Sequence, residues 1–176
     1  MSLSNDMPIG DKNPIPQEPI FTRMVDVGRA YMKSDIHLAV AAGGSVVHLI
    51  RTGAKPFHLA QYVFKAALAP ATIEVIEAPT VTADGTEVGW TAKNRVVADQ
   101  VAPLSTVFQD STITAATGTV LYADMIIGTK ATGGVAQAEG ELILKPNTDY
   151  ALVITNDAAQ VSDIVVSLDG HEHDED

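Results

Sequence analysis

The residue types best able to do chemistry in this chain are its histidines: His37, His48, His58, His171 and His173. The first three lie in apolar segments of β character, separated by 11 and 10 residues. Such spacing can set side chains beside one another on adjacent strands, and three imidazoles with an open fourth position can hold zinc. Successive residues of a strand point to opposite faces, however, and spacing alone does not give the phase. Half-buried or interface histidines are therefore the favoured reading of His37, His48 and His58. The run "HEHDED", residues 171–176, could hold a divalent ion weakly, but a solvated acidic tail is favoured.

Other chemistry finds less support. The sequence has no G-x-S-x-G elbow, P-loop, G-x-G-x-x-G or H-E-x-x-H. "TGG" at 132–134 lacks the Lys-Ser/Thr that a phosphate cradle needs. Glu74 and Glu77 could be read as a carboxylate pair, yet Glu74 alternates with aliphatics and reads as the solvent face of a strand. There is no cysteine, which removes thiolate chemistry and Cys-based zinc sites. Trp90 is the one tryptophan and the one strong sugar-stacking platform; it reads more readily as core or interface. No catalytic residue, cofactor or metal is expected.

The elements that must position these side chains are strands. "IHLAVAA", "VVHLIRT", "PFHLAQYVFKAAL", "ATIEVIEA", "TEVGWTA", "LSTVFQD", "TVLYADMIIG", "ELILK", "DYALVITND" and "SDIVVSLDG" are short apolar or alternating runs separated mostly by Gly, Pro, Asn or Asp. Roughly eight to ten such runs without a convincing long helix predict an all-β fold, an antiparallel β-sandwich. The sandwich is expected over residues 34–169, with Ile73, Val75, Leu142, Leu144, Leu152, Ile154, Ile164 and Val166 facing its core. "KPNTDY" (Lys145–Tyr150) reads as a hairpin turn between "ELIL" and "YALVITND". Residues 127–140 read as a long Gly-, Ala- and Thr-rich loop.

Residues 1–33 are expected to form an extended N-terminal arm, and 170–176 an acidic tail. Four of the nine prolines fall in the first twenty residues, where they preclude a helix or a central strand. Residues 20–33 are ambiguous between a short helix and an irregular docking segment, with Ile20, Met24, Val27 and Tyr31 at helical spacing.

A chain of 176 residues fits one domain. Its net charge of −11 argues against nucleic acid as a partner, because phosphate binding needs clustered Lys and Arg. No apolar run approaches the ~20 residues of a spanning helix. The start lacks the basic-then-apolar pattern of a secretion signal, so no membrane or export route is expected.

One pattern recurs. Thr80, Val81, Thr82, Gly85 and Thr86 are echoed by Thr112, Ile113, Thr114, Gly118 and Thr119. Locally these read as two equivalent strand-to-turn junctions, with Asp84-Gly85 a hairpin-type dipeptide. In order along the chain stand "IEVIEAPTVTADGTEV", the pair Asn94-Arg95, "STITAATGTVLY", "GTKATGG" and "LILKPNTDYALVITND". Taken in that order, the run from about Ala71 to Leu168 resembles a family of tailed-bacteriophage virion proteins, the capsid decoration or cement (head-stabilising) proteins. The resemblance covers over half the chain, and each motif alone is turn chemistry. It implies a jelly-roll-like β-sandwich without catalysis or cofactor. It further implies a symmetric homo-oligomer, a trimer before a dimer, bound to the major capsid protein on the virion exterior after synthesis in the host cytoplasm. After Asn94-Arg95 the chain departs from the family pattern with "VVADQVAPLST", and the arm is not covered. The arm's role is inferred physically: Ile9, Ile15, Ile20, Phe21 and Met24 are apolar residues suited to burial along a partner. The alternative is a receptor- or glycan-binding module of a phage fibre or tail.

Overall fold

The structure is a computed structural model that describes residues 23–25, 27–96, 100–114, 117–127, 134–137 and 141–172. Fourteen strands are present among them. The first four are β1 (Ala30–Val40), β2 (Ser45–Arg51), β3 (Phe57–Ala66) and β4 (Ala71–Glu77). Short strands follow: β5 (Thr80–Ala83), β6 (Thr86–Val88), β7 (Thr91–Ala92), β8 (Thr106–Gln109) and β9 (Thr112–Thr114). The last five are β10 (Thr119–Ile126), β11 (Gly134–Gln137), β12 (Leu142–Leu144), β13 (Asp149–Asn156) and β14 (Ser162–Glu172).

These strands pair as nested antiparallel partners: β1 with β14, β2 with β13, β3 with both β11 and β12, and β4 with β10. The nesting places β11-β3-β14-β1 in one sheet and β10-β4-β13-β2 in the other. That is the strand order of an eight-stranded jelly roll, built by a chain that alternates between two facing sheets. Alternation explains the core. Ile164, Val166 and Leu168 of β14 face inward with Phe57, Leu59, Tyr62 and Phe64 of β3, against Ile73, Val75, Leu152 and Ile154 of the other sheet. All the aliphatics expected in the core are there, with Leu142 partly buried against it.

Residues 78–118 are an insertion between β4 and β10. Its strands continue the β4–β10 ribbon: β5 pairs β9, and β6 pairs β8. The ribbon starts at the β4 side of its sheet and ends beside β2, so the β5–β9 segment crosses the outward face of β13 and β2. Leu49, Ile76 and Ala151 point outward there, lie outside the main core and are nonetheless buried. The insertion thus gives this sheet a second apolar layer.

The two copies of the Thr-aliphatic-Thr pattern are therefore partners, not equivalent hairpins. Thr80 opposes Thr114, and Val81 opposes Ile113. Each copy's glycine bends its strand where the ribbon turns, Gly85 at φ +83° and Gly118 at φ +94°. Side chains are excluded at both. A Cβ on Gly85 would overlap the Gln109 carbonyl oxygen, and one on Gly118 would lie 2.6 Å from the Glu77 carbonyl oxygen.

Four boundaries differ from the sequence reading. Chain pairing begins at Ala30, so residues 30–33 belong to the sandwich and not to an arm ending at 33. Residues 170–172 are not tail: β14 runs through them, and His171 and Glu172 are buried. "KPNTDY" is a tight turn with Asn147 at φ +50°, but it carries the chain from one sheet to the other instead of closing a hairpin. The expected loop at 127–140 contains β11, whose small residues Gly134 and Ala136 hid its strand character.

Candidate functional site

The three candidate histidines separate into two places. His37 on β1 and His48 on β2 lie on the inward faces of opposite sheets and meet across the gap, Nε2 to Nε2 at 2.9 Å. One of the two rings donates to the other. His58 goes elsewhere. Phe57 and Leu59 face the core, so His58 between them points out of its sheet.

The His37–His48 pair is the middle of a polar string. Asp110 Oδ1 stands 3.7 Å from His37 Nδ1, and Asp35 Oδ2 stands 3.8 Å from His48 Nδ1. Lys33 in turn pairs with Asp35 at 2.8 Å. His48 is fully buried, and loss of hydration pushes its pKa from 6.5 down to about 4; the charge of His37 adds to the fall, while Asp35 and Asp110 oppose it. The string borders an open groove along the flank of the sandwich, lined also by Ile36, Leu38 and Gln109.

This flank is the unfinished side of the jelly roll. The insertion closes its lower part: β7 pairs with Tyr31 and Met32 of β1. The Tyr31 hydroxyl donates to the Val101 carbonyl at 2.7 Å. Glu172 accepts the backbone N–H groups of Leu104 and Ser105 at 2.9 and 2.8 Å. Burial and the Glu172 carboxylate together push the Tyr31 phenol up to about 12. Above that point, from Lys33 to Val40, the outer edge of β1 has no strand partner among the described residues. Its outward side chains Ile36 and Leu38 are 68% and 73% exposed.

The Asp84-Gly85 turn is held by Arg51 on β2. The guanidinium grips both carboxylate oxygens of Asp84 at 2.9–3.0 Å and both of Asp149 at 2.8–3.1 Å, and it lies 5.3 Å above the Phe108 ring. Asp84 is held below its usual carboxylate range by that contact. The Ser111 hydroxyl donates to the Asp84 carbonyl oxygen. Asp84 is thus a fastener for the ribbon.

Among the arm residues expected to bind a partner, Ile9, Ile15, Ile20 and Phe21 lie outside the described residues. Met24 sits half-buried in a single helical turn, where its carbonyl accepts the Arg29 N–H at 2.8 Å just before β1. Trp90 packs its ring on Phe57 with centroids 5.0 Å apart. Glu74 and Glu77 alternate to opposite faces; Glu77 accepts from Lys145 and from the Tyr150 hydroxyl. No helix among the described residues is long and apolar enough to cross a membrane.

What fold and site define together is a class: a jelly-roll β-sandwich with one bare edge and a ribbon fastened over one sheet. Compared with known proteins, the chain matches no family model and no curated protein.

Proposed function

We propose that this is a structural virion protein that binds the outside of a phage capsid as a symmetric homo-oligomer, a trimer before a dimer, and cements or decorates the major capsid lattice. The single observation that carries the reading is the bare edge of β1. Soluble sandwiches guard such edges with loose charges, prolines or covering loops. Here Ile36 and Leu38 stand exposed, and the charges that β1 itself carries, Lys33 and Asp35, are paired with each other. An unpaired edge flanked by apolar side chains suits strand addition by a neighbouring chain. Met24 lies in the helical turn that leads into this strand. The jelly roll is compatible with the reading but does not carry it, since lectins and cupins share the fold.

Catalysis is not part of this reading. The buried Thr52 and Ser111 hydroxyls are engaged with backbone carbonyls, and the Ser105 hydroxyl, the most buried of the set, has no histidine or carboxylate bonded to it among the described residues that could act as its base. The glycan-binding alternative loses its strongest residue, because Trp90 spends its face on Phe57.

The test uses capsids that lack this protein. Purified full-length chain should form a closed oligomer by light scattering and bind such capsids stoichiometrically. Ile36→Glu with Leu38→Glu should abolish binding while leaving the β circular-dichroism spectrum intact, and deletion of residues 1–20 should weaken it. A chain that stays monomeric and ignores the capsids overturns the proposal.

A further inference from the structure

A second histidine pair lies on the outward face of the β3–β14 ladder, towards the other end of the sheet from the polar string. His58 of β3 and His171 of β14 are direct cross-strand partners, and both face out of their sheet. Their rings stack at 4.6 Å between centroids with a tilt of 30°. Despite the outward orientation both are buried, at 8% and 1% exposure. Next to them the strand opposite β3 is broken into β11 and β12. β12 resumes with Ile143 opposite His58, which brings Glu141, at the break, over the pair. Glu141 Oε1 lies 2.9 Å from His58 Nδ1 and 3.8 Å from His171 Nδ1.

From this geometry we infer that His58, His171 and Glu141 form a binding site for one divalent transition-metal ion of the zinc class. Two imidazole nitrogens and one carboxylate oxygen converge on a common point, with all three ligand atoms within 4.8 Å of one another. Zinc bonds of about 2.0–2.2 Å place tetrahedral ligands about 3.4 Å apart, so the contacts of 2.9 and 3.8 Å straddle the required separation. A simple hydrogen bond accounts for the shorter contact. It gives no reason for a second imidazole nitrogen to be directed at the same oxygen. Two imidazoles with one carboxylate favour zinc over calcium or magnesium, which prefer oxygen sets.

Binding requires a tautomer choice: with His58 Nδ1 and His171 Nδ1 as ligand atoms, each neutral ring carries its one proton on Nε2. A proton on His58 Nδ1 facing Glu141 Oε1 moves through solvent to Nε2 of the same ring, and the lone pairs of the three ligand atoms go to the metal. The ion would tie together β3, β14 and the break between β11 and β12. His171 is also paired with Ala30, the first residue of β1. The site thus stiffens the corner where the N-terminal residues join the sandwich.

The test uses full-length protein stripped with a chelator and titrated with zinc or cobalt alone. One equivalent per chain is expected, with the visible bands of cobalt held by nitrogen and oxygen. At a zinc concentration of about 100 times Kd, Tm should rise by roughly 5–10 °C. Glu141→Ala, at a 40% exposed side chain that tolerates truncation, should weaken zinc binding at least about tenfold and remove the cobalt bands. His173→Ala, in the acidic run beyond β14, should leave both unchanged. Absence of binding by the wild-type chain, or binding that survives Glu141→Ala and disappears with His173→Ala, overturns the proposal.

Discussion

Acid should weaken this fold through His48, and the size of the effect follows from its surroundings. The ring lies wholly inside the sandwich, against His37, with Asp35, Asp110 and Lys33 as the other charged groups around it. Its pKa falls from 6.5 to about 4, chiefly because a charged ring there would lose its hydration. Between those values the unfolded chain binds a proton that the folded chain refuses. Stability is therefore greatest above the unfolded value and declines as pH falls towards the folded one. At 1.36 kcal/mol for each pH unit, the loss across the window is about 3 kcal/mol. For a chain of this length that corresponds to a Tm decrease of roughly 6–12 °C. The assay is thermal or urea unfolding from pH 7 to pH 4.5, for the wild type and for His48→Gln, which keeps hydrogen-bonding groups but does not titrate. Carboxylates elsewhere act equally on both proteins and cancel in the difference. The variant should start less stable and lose less on acidification, so the two curves converge. Parallel curves would refute the assignment of the acid sensitivity to His48.

Two further perturbations test how the fold is held. Asn156 is fully buried; its amide nitrogen donates to the carbonyls of Val40, Ala41 and Gln160, and its oxygen accepts the Ala158 N–H. Asn156→Ala strands those groups and should cost about 3–5 kcal/mol, read as a shift of the urea midpoint with unchanged slope. A loss under about 1 kcal/mol would show that water replaces the amide. Gly85→Ala meets both a left-handed backbone and the Gln109 carbonyl, and should lower stability by about 2–4 kcal/mol, whereas Gly43→Ala, with open space around it, should lose only the backbone strain.

The all-β class and the core aliphatics were legible because alternation is local. In "PFHLAQYVF" the large apolar residues declare which way the strand faces, and with them the outward direction of His58. In "SDIVVSLDGHE" the same logic turns His171 outward. What alternation does not carry is register between distant segments. That His58 faces His171, or that Thr80 faces Thr114, depends on pairings set by the whole nesting of strands. Glu141 was invisible for a further reason: it does its work at an interruption between two short strands, and a break has no periodicity. The similarity of the two Thr-aliphatic-Thr copies was real, but identical local chemistry serves partners in a ribbon as well as it serves repeated hairpins. The turn at "KPNT" was read correctly in its backbone and wrongly in its connection, because a tight turn fixes the bend and not the sheet in which the next strand lands.

The insertion has a consequence for how the protein can be rebuilt. Glu77 and Thr119 are register partners at the end of β4 and the start of β10, so the chain leaves the jelly roll and returns to it at neighbouring points. Residues 78–118 are topologically a hairpin loop grown to the size of a small lid. A short turn could span the gap, or a foreign segment could occupy it, without rethreading the eight-stranded roll. The lid's removal would bare Leu49, Ile76 and Ala151, and a replacement that ignored them would convert a dry interface into a sticky plate. Because Ala92, Val107 and Trp90 of the lid also pack in or against the core itself, the roll becomes a portable scaffold only when polar residues at Leu49, Ile76 and Ala151 are joined by a replacement for these contacts.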